Sequence, residues 1–181
     1  HGEKTKGYRQ LQRMIAKYPN HGAARGAFTQ LVEYLDEKDR AGLRALLKRW
    51  SHELKGSDSG QRALYEWGQL EARAGQLEAA FSILLRSAKE HPYPKGNLTD
   101  DALWYASIYA AKLRRPQEAI AILERLLKTR EVAQGGSYER PRFPAAQYRI
   151  AELWRDALNN PQRARAAFDK VHQNHSTSIL A

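Results

Sequence analysis

Apolar residues recur at intervals of three and four along almost the whole chain, and alternation with period two scarcely occurs, so the pattern predicts helices and no strands. The clearest unit covers residues 61–92. Leu64, Trp67, Leu70 and Ala74 line one face of a first helix and Gly75 breaks it. Leu77, Ala80, Phe81, Leu84 and Ala88 then line a second helix, and Pro92 stands where the next turn begins. Two helices joined by so short a break form an antiparallel hairpin.

The same grammar recurs at residues 101–129. There Leu103, Ala106 and Tyr109 precede a break at Arg114-Arg115-Pro116, and Ala119, Leu123 and Leu126 follow. It recurs at 144–174, with Tyr148, Ala151 and Trp154, a break at Asn159-Asn160-Pro161, then Ala164, Phe168 and Val171. Both prolines suit the first turn of the helix that follows. An earlier hairpin at 24–54 is less regular, with Phe28, Leu31 and Leu35 before a polar break around residues 36–39, and Leu43, Leu47 and Trp50 after it. Ahead of it, Leu11, Met14 and Pro19 read as the second helix of a further repeat over residues 8–19, with its first helix missing.

These residues resemble the tetratricopeptide repeat, which has a small residue where its two helices cross, a later Ala, an aromatic four positions on, and a closing Pro. Gly68, Ala80 and Pro92 fall at the family's spacing in the 61–92 unit, with Leu84 in place of the aromatic. Ser107 and Ala151 hold the crossing position in the next two units, and the pairs Ala119 with Leu123 and Ala164 with Phe168 keep the four-residue step. The resemblance implies an all-α fold, a right-handed superhelical solenoid of antiparallel helix pairs spanning residues 1–181 as one unit. Leu47, Leu84, Leu123 and Phe168 are spaced by 37, 39 and 45 residues, against roughly 34 in the standard repeat. The connections therefore carry insertions, the longest a loop at 129–143. Both ends read as cut from a longer array, because no polar capping helix is evident.

In such an array the first helices line a concave face. Phe28, Tyr65, Trp104 and Tyr148 all fall three residues before the crossing residue, which predicts a ladder of four aromatics there. Gln69, Ile108, Arg73, Lys112 and Arg155 follow on the same faces. The resemblance implies a protein or peptide ligand held by these residues, because aromatic rings give large contact area at low entropic cost. The family's clamp for a C-terminal carboxylate is not expected, since Phe28, Val32 and Gln69 hold the corresponding positions. Arg130, Arg140 and Arg142, beside Tyr138 and Phe143, suit an acidic partner or a phosphate.

The chain has 30 Lys and Arg against 20 Asp and Glu, a formal charge of +10, with the excess at its two ends and no basic run longer than two. That charge keeps an RNA-binding helical-repeat module as the alternative, and a noncatalytic repeat domain of a larger enzyme as another. Catalysis is not expected, and neither is a cofactor or metal. Cysteine is absent, Gly135-Gly136 lacks the Lys and Ser/Thr of a phosphate loop, and His172 and His175 lack a third ligand nearby. No apolar run approaches the ~20 residues of a membrane span. Residues 164–178 resemble repeats of bacterial envelope lipoproteins, which implies a place in the cell envelope or periplasm.

Overall fold

The computed structural model describes residues 2–129 and 142–175, with side chains from residue 6. The described residues form helices joined by short turns and contain no strand. They are α1 (Gly2–Lys17), α2 (Gly22–Lys38), α3 (Arg40–Glu53), α4 (Asp58–Arg73), α5 (Leu77–Glu90), α6 (Thr99–Lys112), α7 (Pro116–Lys128), α8 (Arg142–Glu152) and α9 (Pro161–Asn174). Each packs mainly on the helix before it and the helix after it, so the array grows along one direction. The architecture is an all-α, right-handed solenoid of antiparallel helix pairs. Helix α1 starts six residues ahead of the expected position. Most of the 129–143 connection, with Arg130, Tyr138 and Arg140, lies outside the described residues.

The core follows the periodicity. Leu64, Ala80, Leu84, Ala88, Leu103, Ala106, Ala119, Leu123 and Leu126 are fully buried, and each large aliphatic side chain removed from water contributes about 1.5–3 kcal/mol. Two apolar clusters result, one running from Ile15 to Leu70 and one from Ala80 to Ala167. Helix α4 joins them: Ala63 and Leu70 pack in the first, and Tyr65 and Ala72 pack against the second. Gly68 marks the crossing of α4 and α5, because a Cβ there would lie 2.8 Å from Leu84 Cγ. A polar tie also links the first and second hairpins. Glu71 Oε1 accepts from Arg44 Nε at 2.7 Å and from Trp67 Nε1 at 2.8 Å.

The turns inside the later hairpins share one backbone device. Gly75, Arg114 and Asn159 all have positive φ, 77°, 60° and 47°, and each stands two residues before the first residue of the next helix, Leu77, Pro116 and Pro161. Gly adopts this left-handed conformation without steric penalty, whereas an L side chain pays about 1–2 kcal/mol for it. Arg114→Gly is therefore expected to stabilise the fold by about 0.5–1 kcal/mol, after allowing for the greater freedom of Gly in the unfolded chain. The reciprocal Gly75→Ala is expected to destabilise it by a similar amount. Urea denaturation of the two variants measures both signs.

The first hairpin departs from this device. A single residue, Asp39, separates α2 from α3, ending one helix and capping the next by accepting from Gly42 N at 2.8 Å. Its crossing position holds the bulky, fully buried Leu31 instead of a small residue.

Candidate functional site

The first helices of the last three hairpins, α4, α6 and α8, carry a continuous set of half-buried polar and aromatic side chains. Each helix is positioned by its own start. Ser57 caps α4, its hydroxyl accepting from Gly60 N at 3.1 Å. Thr99 opens α6, donating to the His91 carbonyl at 2.6 Å. Arg142 is the first residue of α8.

The site centres on α6. Tyr105 meets Tyr65 of α4 edge-on, with ring centroids 6.2 Å apart, and its other neighbour Tyr109 lies at 6.4 Å. The Arg142 guanidinium reaches back from α8 over two rings, 5.3 Å from Trp104 and 5.4 Å from Tyr105. Its Nε donates to Asp101 Oδ1 at 2.9 Å. Such cation–π contacts add about 0.5–1 kcal/mol each where partly exposed. One level along, the Tyr109 hydroxyl donates to Gln69 Oε1 at 2.9 Å, while the Gln69 amide nitrogen is buried and among the described residues has no hydrogen-bond partner. Lys112 lies 6.0 Å from the Tyr109 ring, and Arg73 Nη2 donates to Asp36 Oδ2 at 3.1 Å.

Burial, with the Asp101 carboxylate nearby, pushes the Tyr65 phenol well above its ordinary range, so it stays a neutral hydrogen-bonding group. Burial also raises the Glu66 carboxyl. Burial opposes the charge on Arg142, but the hydrogen bond and charge of Asp101 outweigh it and hold the guanidinium above its usual value. The surface thus offers neutral aromatic hydroxyls and an ion pair with both members about one-third exposed, at 32% and 31%. This equipment suits recognition. Among the described residues no three His, Asp or Glu side chains converge where they would hold a metal, and no helix is long and apolar enough to cross a membrane.

The structure alters the expected ladder. Phe28 is fully buried, with its ring 5.4 Å from Trp50, so it belongs to the core and does not line a binding surface. With the large Leu31 at the crossing, the α2–α3 unit closes through both residues. Tyr65, Gln69, Trp104 and Ile108 are half-buried, and Arg73 and Lys112 are exposed. Tyr148 turns to its own hairpin, 5.3 Å from Phe168, and Arg155 covers the same ring at 5.6 Å. The rows that meet across the helices are Tyr65 with Tyr105, and Asp101, Trp104 and Tyr105 with Arg142.

Sequence reasoning missed Tyr105 and Asp101 and placed Arg142 in a loop. The available signal was spacing within α6: positions 101, 104 and 105 lie three and four apart and share one helix face.

The fold and this surface define the chain as an α-solenoid of helical hairpins. Residues 101–129 and 145–178 match the model of the tetratricopeptide repeat. Over these two stretches, the third and fourth hairpins, the chain matches the tetratricopeptide-repeat family, and its fold is TPR-like throughout the described residues. It is similar in structure to a putative kinesin light chain with nearly identical TPR-like repeats from Podosopora anserina, at 15% identity over 98% of this chain and 90% of that one, with a TM-score of 0.61. It is similar to MamA protein at 17% identity, over 99% and 91%, with a TM-score of 0.61. BtubC (BKLC) from P. vanneervenii gives 12% identity, 97% and 76%, and a TM-score of 0.64. At these identities the likeness carries the fold. No curated protein sequence matches the chain.

Proposed function

We propose that the chain is a noncatalytic scaffold whose α4–α6–α8 face holds a segment of another protein. One observation carries this reading: Tyr65, Trp104, Tyr105, Asp101 and Arg142 form a connected, half-exposed cluster drawn from three successive hairpins. First helices line the inner curve of a solenoid, and extended concave surfaces are what such arrays use for binding. Rings already held by their neighbours lose little freedom when a ligand covers them, so their area converts efficiently into affinity. Gln69, Arg73, Ile108 and Lys112 extend the surface towards the helix C-termini.

The test is capture of partners from native lysate with the unaltered chain and with a Tyr65→Ser, Tyr105→Ser, Arg142→Gln variant, after circular dichroism shows equal helicity. A partner retained by the first is expected to bind the variant at least about tenfold more weakly, the effect of losing central aromatic and Arg anchors. A partner held equally by both places binding elsewhere and overturns the assignment.

A further inference from the structure

A second surface lies between α7 and α9, the second helices of the last two hairpins. These helices both pack on α8 and not closely on each other, which leaves a groove of about 370 Å³. Its floor carries Leu127 from α7, Ile150 and Trp154 from the α8 side and Ala167 from α9, with the polar Gln147 of α8 tied to the Ala167 carbonyl at 3.2 Å. Lys128, Arg163 and Lys170 line it as well, and among the described residues Glu124 is the one acid that does. Among the described residues none of the three cations forms an ion pair. Arg163, an exposed residue, instead lies 4.5 Å from the centre of the Trp154 ring.

The backbone shapes this groove. After Glu152 the α8 helix widens into a π-helical turn, Leu153–Ala157, closed by Leu158 N donating to the Leu153 carbonyl at 3.1 Å. That turn carries Trp154. Such turns are uncommon and concentrate at functional positions.

We propose that this groove docks an acidic amphipathic helix of a partner protein, independently of the α4–α6–α8 face. The occupant follows from the chemistry. An apolar floor between two helices accepts one apolar stripe of a third helix, with anchors three and four residues apart. The floor is large enough for the first few such side chains. Among the described residues three cations without an ion pair face one acid, which selects carboxylates flanking that stripe and disfavours a basic helix.

Fluorescence anisotropy tests this with the full chain and two labelled synthetic peptides of about 18 residues, one built from Leu, Ala and Glu and its mirror with Lys for Glu. The acidic peptide is expected to bind and the basic one to bind at least about tenfold more weakly. Lys128→Glu with Lys170→Glu is expected to weaken the acidic peptide by about tenfold or more and to flatten its salt dependence. Ala166 is exposed at the groove edge, and Ala166→Trp is expected to block binding by filling the groove while the core is untouched. Tyr65→Ser with Tyr105→Ser is expected to leave it unchanged. Failure of the acidic peptide to bind at low salt overturns the proposal. So does equal binding of both peptides, or binding indifferent to the charge-reversal and Ala166→Trp variants.

Discussion

Gly96→Ala is expected to destabilise the fold by about 3 kcal/mol, among the larger single-methyl effects in this chain. A Cβ on residue 96 would sit 2.0 Å from the His91 carbonyl oxygen, 2.4 Å from Thr99 Oγ1 and 2.7 Å from Gln61 Nε2. These atoms form one hydrogen-bonded knot. Thr99 Oγ1 donates to the His91 carbonyl at 2.6 Å and is 2.9 Å from the Gly96 carbonyl, and Gln61 Oε1 accepts from Leu98 N at 3.2 Å. Gln61, on α4, thereby holds the connection from α5 to α6. A methyl group wedged into the knot has to push backbone aside and leave buried polar groups unpaired, and both are costly. Chemical denaturation measures the loss, with the exposed neighbour Asn97→Ala expected to shift stability by less than about 0.5 kcal/mol. Equal behaviour of the two variants contradicts the packing argument.

Leu84→Ala is expected to cost about 3 kcal/mol, since Leu84 is fully buried and its removal leaves a cavity where α4 crosses α5. The same site supports a sharper test through Gly68. Gly68→Ala alone drives a methyl to within 2.8 Å of Leu84 Cγ and is expected to destabilise by about 1–3 kcal/mol through overpacking. Combined with Leu84→Ala, that methyl occupies part of the cavity. The double variant is therefore expected to be more stable than the sum of the single losses implies, by about 1 kcal/mol or more. Simple additivity in thermal or urea unfolding contradicts a direct contact between the two residues.

These sites also separate what the sequence carries from what packing adds. The spacing of Gly68 and Leu84 marks them as crossing residues, and they meet in space. Helix type was equally plain, because apolar residues at three and four positions leave a strand no consistent buried face. The Gln61–Gly96–Thr99 knot was not readable, since its members are 35 and 38 residues from Gln61 and carry no periodic signal. Arg142 shows the same limit. Set among Gly135, Gly136 and Pro141 it reads as loop, yet it begins α8 and its side chain closes over Trp104 and Tyr105 because Asp101 is there to receive it.

The aromatic ladder is the instructive case. Spacing placed Phe28, Tyr65, Trp104 and Tyr148 at equivalent positions, and equivalence along the chain did not make their surroundings equal. Phe28 sinks into the core beside Leu31 and Trp50, Tyr148 turns to Phe168, and Tyr105, one residue off the ladder, becomes the ring that touches Tyr65.

The amino-acid order alone determined that this chain is helical, that the helices pair as hairpins, and which face of each helix is buried, because those properties depend on neighbours within about one or two helical turns. The tertiary structure decided which half-buried residues from different hairpins share a surface, and where a groove opens between α7 and α9. Those outcomes depend on how far each hairpin rotates on the next. Rotation is set by the bulk at every crossing, Leu31 against Gly68, Ser107 and Ala151, and by contacts such as Arg142 with Asp101 that join residues some 40 positions apart.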